Sequence, residues 1–136
     1  MTISDPQLTP LEATSARPDR VLPTLTSQQL SRVAAHGQRR STSRGEVLFE
    51  AGDKGVPVFV VVSGELQVVR PAGTGEMLVA KYGPGQFSGE SNMITGRPAI
   101  VQLRVAEPGE VIQLNREQLL ALIQTDAELS EILMRA

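Results

Sequence analysis

Few residues in this chain are equipped for covalent chemistry. His36 is the single histidine and there is no cysteine, which excludes disulfides, thiol catalysis, zinc–thiolate sites and iron–sulfur ligation. One histidine beside Arg39 and Arg40 supplies neither the several convergent ligands of a metal site nor the base of a Ser–His–Asp triad. Gly85-Gln-Phe-Ser88-Gly89 reads Gly-x-x-Ser-Gly, not the Gly-x-Ser-x-Gly of a nucleophile elbow. A dinucleotide fingerprint over Gly83 to Gly89 has one spacing too long and no βαβ pattern around it. The chain is therefore read as no enzyme in itself.

Packing alone does not explain Gly85-Gln-Phe-Ser-Gly-Glu-Ser-Asn-Met-Ile-Thr-Gly-Arg-Pro-Ala99. It joins two expected strands with about a dozen residues, and connections of that length in a compact domain are usually functional. Gly89 permits close backbone approach. One helical turn over Glu90 to Met93 would aim free N–H groups at a cavity, which makes an anion site. A carboxylate beside such a turn can accept a hydrogen bond from a sugar hydroxyl, and a nearby guanidinium can clamp phosphate oxygens. Phosphate plus ribose is the ligand shape implied. Each residue also has an ordinary reading, Glu90 as a charge stabilising a helix N-terminus and Arg97 as a solvated side chain.

The composition narrows the partners. The 136 residues fit one domain, and 40% hydrophobic with 21% charged residues is a globular balance. With 13 Lys+Arg against 15 Asp+Glu the net charge is −2, so the long-range field offers nothing to a polyanion. Aromatics are only 3%, too few for a base-stacking platform. Nucleic acid is disfavoured on both counts. The longest apolar run, Val56 to Val62, is far too short to span a bilayer, and no secretory leader pattern opens the chain. The expectation is a soluble, cytoplasmic protein without a membrane partner. His36, Arg39, Arg40 and Arg44 form a local basic cluster, either a solvated loop face or a dock for an acidic surface.

Residues 1–22, with Pro6, Pro10 and Pro18 among polar residues, read as a flexible arm, and 23–136 as the folded domain. Thr26-Ser-Gln-Gln29 has capping-box spacing and opens a short helix with Leu30, Val33 and Ala34 on its apolar face, ended by Gly37. Short apolar runs then recur between turn residues: Val47 to Phe49, Val56 to Val62, Glu65 to Val69, Glu76 to Tyr82, Ala99 to Val105 and Glu110 to Leu114. Gly64 and Pro108-Gly109 are among those expected turns, and the spacing is the signature of an antiparallel sandwich or barrel. Leu66 and Val68, and Leu103 and Val105, alternate with polar residues, so those strands have a wet face. Asn115 caps a helix over 116–124 with Leu119, Leu120 and Ile123 inward, and Thr125-Asp-Ala-Glu128 opens a last helix. The chain ends within that helical pattern, which reads either as a module whose natural chain continues or as a natural C-terminus that frays.

The succession of helix, Gly45-Glu-Val-Leu-Phe, Gly52-Asp53, Phe59-Val-Val-Val-Ser-Gly64-Glu-Leu-Gln-Val, and Gly85 to Glu90 resembles the cyclic nucleotide-binding domain family. That family includes catabolite activator-type regulators, regulatory subunits of cyclic AMP-dependent kinase, and cyclic nucleotide-gated channels. The resemblance implies a mainly β fold with flanking helices, an eight-stranded double-stranded β-helix jelly roll. It implies that Gly89 to Ala99 is the phosphate-binding cassette and that Glu90 holds the ribose 2′-hydroxyl. The departure lies where the family places an arginine against the cyclic phosphate. Aligned without a gap from Gly89-Glu90, Pro98 falls on the motif's proline and Ala99 on its arginine. A gapped register offers Arg97 instead; the ungapped one keeps Leu103 and Val105 inward. In an extended segment Arg97 and Ala99 would point the same way. Ser91, where the family usually has an aliphatic residue, and Asn92 make the cassette more polar and point to a changed ligand.

Two functions follow from the resemblance. In the first, the chain is a regulatory sensor whose ligand is a cyclic nucleotide or a related small anionic molecule held by Gly89, Glu90, Ser91, Asn92, Arg97 and Ala99. Its C-terminal helices relay occupancy to a fused or docked output domain. In the second, ligand binding is lost and the roll is a docking or oligomerisation domain, a homodimer being one arrangement. Gly-Glu-Ser-Asn-Met followed by Gly-Arg also resembles modules that precede a thioredoxin reductase-like oxidoreductase domain. FAD and NADPH would belong to that domain; this chain calls for no cofactor of its own.

Overall fold

Two long strands, each carrying turn-forming residues within it, organise the molecule. The computed structural model describes residues 23–88 and 96–135; the expected arm, 1–22, lies outside them. The chain runs α1 (Ser27–Ala34), β1 (Gln38–Ser41), β2 (Val47–Phe49), β3 (Val58–Ala72), β4 (Gly75–Tyr82), β5 (Phe87–Ser88), β6 (Gln102–Leu114), α2 (Arg116–Thr125) and α3 (Ala127–Arg135). Every strand pairing is antiparallel.

β3 and β6 pair along most of their length, from Val58↔Leu114 to Val69↔Gln102. The other strands divide those two between them. β1 pairs with β6 over 110–113 and β5 with β3 at Phe59 and Val60, which completes one half. β2 pairs with β6 at Leu103 and Arg104 and β4 with β3 over 66–72, which completes the other. Six strands thus supply the eight strand segments of a jelly roll, because β3 and β6 each serve both halves.

The halves meet at a bend, where sequence spacing predicted turns at Gly64 and at Pro108-Gly109. The structure corrects this, since both sites lie inside continuous strands and appear as register shifts between Val61 and Leu66. Their backbones nearly touch: a Cβ on Gly109 would stand 2.2 Å from the Ser63 carbonyl oxygen, and one on Gly64 2.5 Å from that of Glu107. Glycine is required by space at this crossing. A bulge bends a strand without ending it.

The bend creates two cores. Val58, Val60, Ile112 and Leu114 turn outward against Val33, Leu119, Leu122, Leu129 and Leu133 of the helices. Their neighbours Phe59, Val61 and Val111 turn into the roll and meet Phe49, Leu66, Val68, Ala99, Leu103 and Val105 from the other half. The rings of Phe49 and Phe59 stack across that interior with centroids 6.5 Å apart. This explains the unbroken apolar run at Val58 to Val62, a stretch covered on both faces. In β3 beyond the bend and in the first half of β6, alternation persists because the outer face meets water.

Local signals set the helices. Thr26 Oγ1 accepts the Gln29 N–H at 3.1 Å while Gln29 Oε1 accepts the Thr26 N–H at 2.9 Å, the expected reciprocal cap. Asn115 and Gln118 make the same exchange at 2.8 Å in both directions. Two expectations shift. In α2 Leu119 and Leu122 are buried and Ile123, part-buried, packs against the same core as expected, while Leu120 is exposed. The cap of α3 is Asp126, whose Oδ1 accepts the Leu129 N–H at 3.1 Å, whereas Thr125 belongs to α2 and donates to the Ala121 carbonyl. β1 was not anticipated: Gln-Arg-Arg-Ser has no apolar alternation, and this edge strand is fixed by its ladder with β6.

Candidate functional site

The entry to the predicted cassette is built by a turn. In Gly83-Pro84-Gly85-Gln86 the Gln86 N–H donates to the Gly83 carbonyl at 3.0 Å. Proline in the second position and Gly85 at φ +85° in the third make a type II turn. Gly85 is further tied down by donating to the Val61 carbonyl at 2.7 Å and accepting from the Leu25 N–H at 2.8 Å. β5 is thereby docked on β3 in a fixed register, Val60↔Phe87 and Phe59↔Ser88.

Register decides the direction of both β5 side chains. Cross-strand partners share a face, so Phe87 joins Val60 in the helix-side core, and Ser88, opposite Phe59, faces the roll interior. Ser88 is 4% exposed, and its Oγ finds no hydrogen-bond partner among the described residues. Gly89, Glu90, Ser91 and Asn92 lie in the stretch 89–95, outside the described residues.

At the far end of the cassette the two candidate positions separate. Ala99 is 2% exposed and belongs to the interior cluster with Phe49, Phe59 and Leu103. Arg97 is exposed. The expectation that both point the same way does not hold, because Gly96 to Ala99 forms no strand and period-two alternation has no purchase there. Ala99 is held by backbone alone: its N–H donates to the Asp53 carbonyl at 2.8 Å and its carbonyl accepts the Gly52 N–H at 2.6 Å. Asp53 in turn closes the Glu50 to Asp53 turn by accepting the Glu50 N–H on Oδ2 at 2.9 Å. The Gly52-Asp53 pair therefore fixes residue 99 on the wall of the roll.

No charged side chain is buried among the described residues, the buried polar ones being Thr42 and Ser88. The basic cluster singled out in the sequence is matched within the fold. Arg39 pairs with Glu110 at 3.0 Å, Arg44 with Glu107 at 2.9 Å, and Arg40 with Glu46 and, at 3.2 Å, with Gln113 Oε1. Arg39, Arg40 and Arg44 each thus stand beside a carboxylate of the same fold.

A second cluster, not anticipated, ties α1 to the junction of α2 and α3. Arg32 donates to both Asp126 oxygens at 2.9 Å and to Glu128 Oε1 at 2.7 Å. Those bonds lower the Asp126 carboxyl below its ordinary value, helped by the Leu129 N–H. They lower Glu128 as well, helped by the Gln29 side chain, and raise the Arg32 guanidinium, through Asp126 first and Glu128 second. The partners are 94 and 96 residues apart, so no local pattern announced them.

A family model described as the cyclic nucleotide-binding domain matches residues 39–126. The chain belongs to the cyclic nucleotide-binding domain family. A curated relative, the cyclic AMP receptor protein of Thermus thermophilus, is 30% identical over 101 residues, which is 74% of this chain and 47% of that protein. The solved catabolite activator protein of Thermus thermophilus superposes with a TM-score of 0.71 at 28% identity, covering 82% of this chain and 53% of that one. A structure from work on a cyclic-GMP-dependent signalling pathway of bacterial phytopathogenesis superposes with a TM-score of 0.69 at 26% identity, covering 83% and 91%. This domain spans less than half the length of the curated relatives it matches first. The jelly roll expected from the resemblance is the fold observed. Among the described residues no helix is long and apolar enough to cross a membrane.

Proposed function

We propose that this domain is a regulatory receptor whose ligand is a cyclic nucleotide, or a related small phosphorylated or anionic molecule. The ligand enters the roll between β5 and residue 99. The observation that carries this reading is the end of β5: Ser88, the residue before Gly89-Glu90 in the sequence, faces the interior, in a chain of the cyclic nucleotide-binding family. Glu90 takes the ribose hydroxyl, and the amides after Gly89 take the anion. The names of relatives, one a cyclic AMP receptor and one from a cyclic-GMP pathway, make those two nucleotides the first to test.

Affinity is reduced by the alanine at 99. A charge-assisted contact to phosphate contributes about 1.5–3 kcal/mol, so its loss weakens binding roughly ten- to a hundred-fold. Relay to the helices passes through one thickness of β3, because Phe59 and Val61 line the interior while Val58 and Val60 carry the helix core. A ligand moves the helices only through unequal affinity for two arrangements of them. The output lies beyond this domain, fused or docked; a flavin- and NADPH-dependent reductase of thioredoxin reductase type is the candidate that the sequence likeness supplies.

Titration calorimetry with cyclic AMP and cyclic GMP tests the reading. A saturating heat at or below about 1 mM, lost in Glu90→Gln, is the expected result. No heat with either nucleotide overturns it and leaves the docking or oligomerisation role, which sedimentation of the purified domain would then examine.

A further inference from the structure

We infer that Ser88 is a ligand-contacting residue of this roll, its hydroxyl donating a hydrogen bond to an acceptor oxygen of the bound molecule; this rests on the receptor reading above. Three observations converge on it. Ser88 is 4% exposed, yet its Oγ has no partner among the described residues, and a buried hydroxyl left unpaired is costly enough that most native ones are satisfied. Its direction is set by the Phe59↔Ser88 pairing, which turns it to the same interior face as Phe59 and Ala99. Its position is the last of β5, one residue before Gly89-Glu90.

The chemistry fits the ligand class. The buried polar side chains among the described residues are Thr42 and Ser88, neither of them charged, so an anionic ligand meets no buried counter-charge from the described residues. A hydroxyl is the group that can serve such a ligand: it donates to a phosphate or ribose oxygen and turns freely to suit it. A ligand oxygen accepting from Ser88 Oγ would give this buried hydroxyl the partner that the described residues do not supply. The two buried polar atoms left without partners among the described residues are Ser88 Oγ and Gln102 Oε1. Gln102 precedes inward-facing Leu103 on β6 and so lies on the opposite face.

The test separates the hydroxyl from the space it fills. Ser88→Thr and Ser88→Val have nearly the same shape and differ in the hydroxyl, so any packing strain is common to both. With cyclic AMP and cyclic GMP as probes, Ser88→Thr should bind more tightly than Ser88→Val by about three- to ten-fold, the worth of one hydrogen bond. Ser88→Ala should lose a similar factor while melting, without ligand, at or above the wild-type temperature. Equal affinities for Thr and Val, with wild type binding, overturn the role of Ser88 and leave the receptor intact. Absence of binding in wild type itself overturns the receptor reading, and the Ser88 proposal falls with it.

Discussion

Ala99→Arg places the family's guanidinium where this chain has a methyl group, and the structure sets what that costs. Residue 99 is 2% exposed, fixed by backbone bonds to Gly52 and Asp53, and surrounded by Phe49, Phe59, Leu103 and other apolar side chains. An unpaired charge in such surroundings costs about 3–5 kcal/mol. At about 4–5 °C per kcal/mol for a domain of this size, the ligand-free variant should melt roughly 12–25 °C below wild type. Ala99→Leu controls for volume, and overpacking of about 1–3 kcal/mol gives a smaller fall of roughly 4–15 °C. Cyclic nucleotide should then reverse the order of response. The phosphate supplies the missing counter-charge, so affinity rises about ten- to a hundred-fold over wild type, and the ligand-induced rise in melting temperature is largest in Ala99→Arg. Differential scanning fluorimetry with and without cyclic AMP and cyclic GMP reads both effects. An arginine variant that melts like wild type would show that residue 99 does not face a closed apolar wall. A ligand-induced shift no larger than wild type's would refute its alignment with the family's arginine.

Three further outcomes follow from the fold. Gly109→Ala drives a Cβ to within 2.2 Å of the Ser63 carbonyl oxygen and 2.8 Å of the Gly64 nitrogen. Urea denaturation should show a loss of about 3 kcal/mol or more, and a loss below about 0.5 kcal/mol would deny the close crossing of β3 and β6. Asn115→Ala removes the reciprocal cap of α2 and should cost about 1 kcal/mol, measured by the same denaturation. Asp126→Asn breaks the two-point bond with Arg32. The Asp126 and Glu128 carboxyls are depressed in the folded state from ordinary values of 3.8 and 4.5, so their stabilisation is complete above those values and is lost as pH falls through the lower folded ones. The gap in unfolding free energy between wild type and Asp126→Asn should therefore be constant from neutral pH down to the ordinary carboxylate range and close only below it. A gap that closes above pH 4.5 would contradict the assignment.

What was legible in the sequence was local or periodic. Thr26 with Gln29 and Asn115 with Gln118 announce their caps because donor and acceptor are three residues apart. The alternation at Leu66 and Val68 announced a wet face because water is what selects the intervening residues. Gly64 and Gly109 misled for a physical reason: the residues that make a turn also make a bulge, and only the pairing of β3 with β6 tells which. β1 was hidden because an edge strand whose arginines are paired to Glu110 and Glu46 needs no apolar stripe. The site was half legible. Its Gly-Glu motif and the alanine at 99 stand out as letters. That Ser88 faces the interior depends on its register against Phe59, and the clamp of Arg32 on Asp126 joins residues 94 apart in the chain. Neither is encoded in any short window.

Chemical-shift mapping of the isotopically labelled domain with cyclic AMP and cyclic GMP tests the central claim most directly, because it reports where a ligand sits as well as whether it binds. The predicted result is a saturable change centred on the amides of Ser88, Ala99 and Val61, with a smaller response in α2 and α3. Changes confined to the outer face of β4, or none at all with either nucleotide, would contradict it.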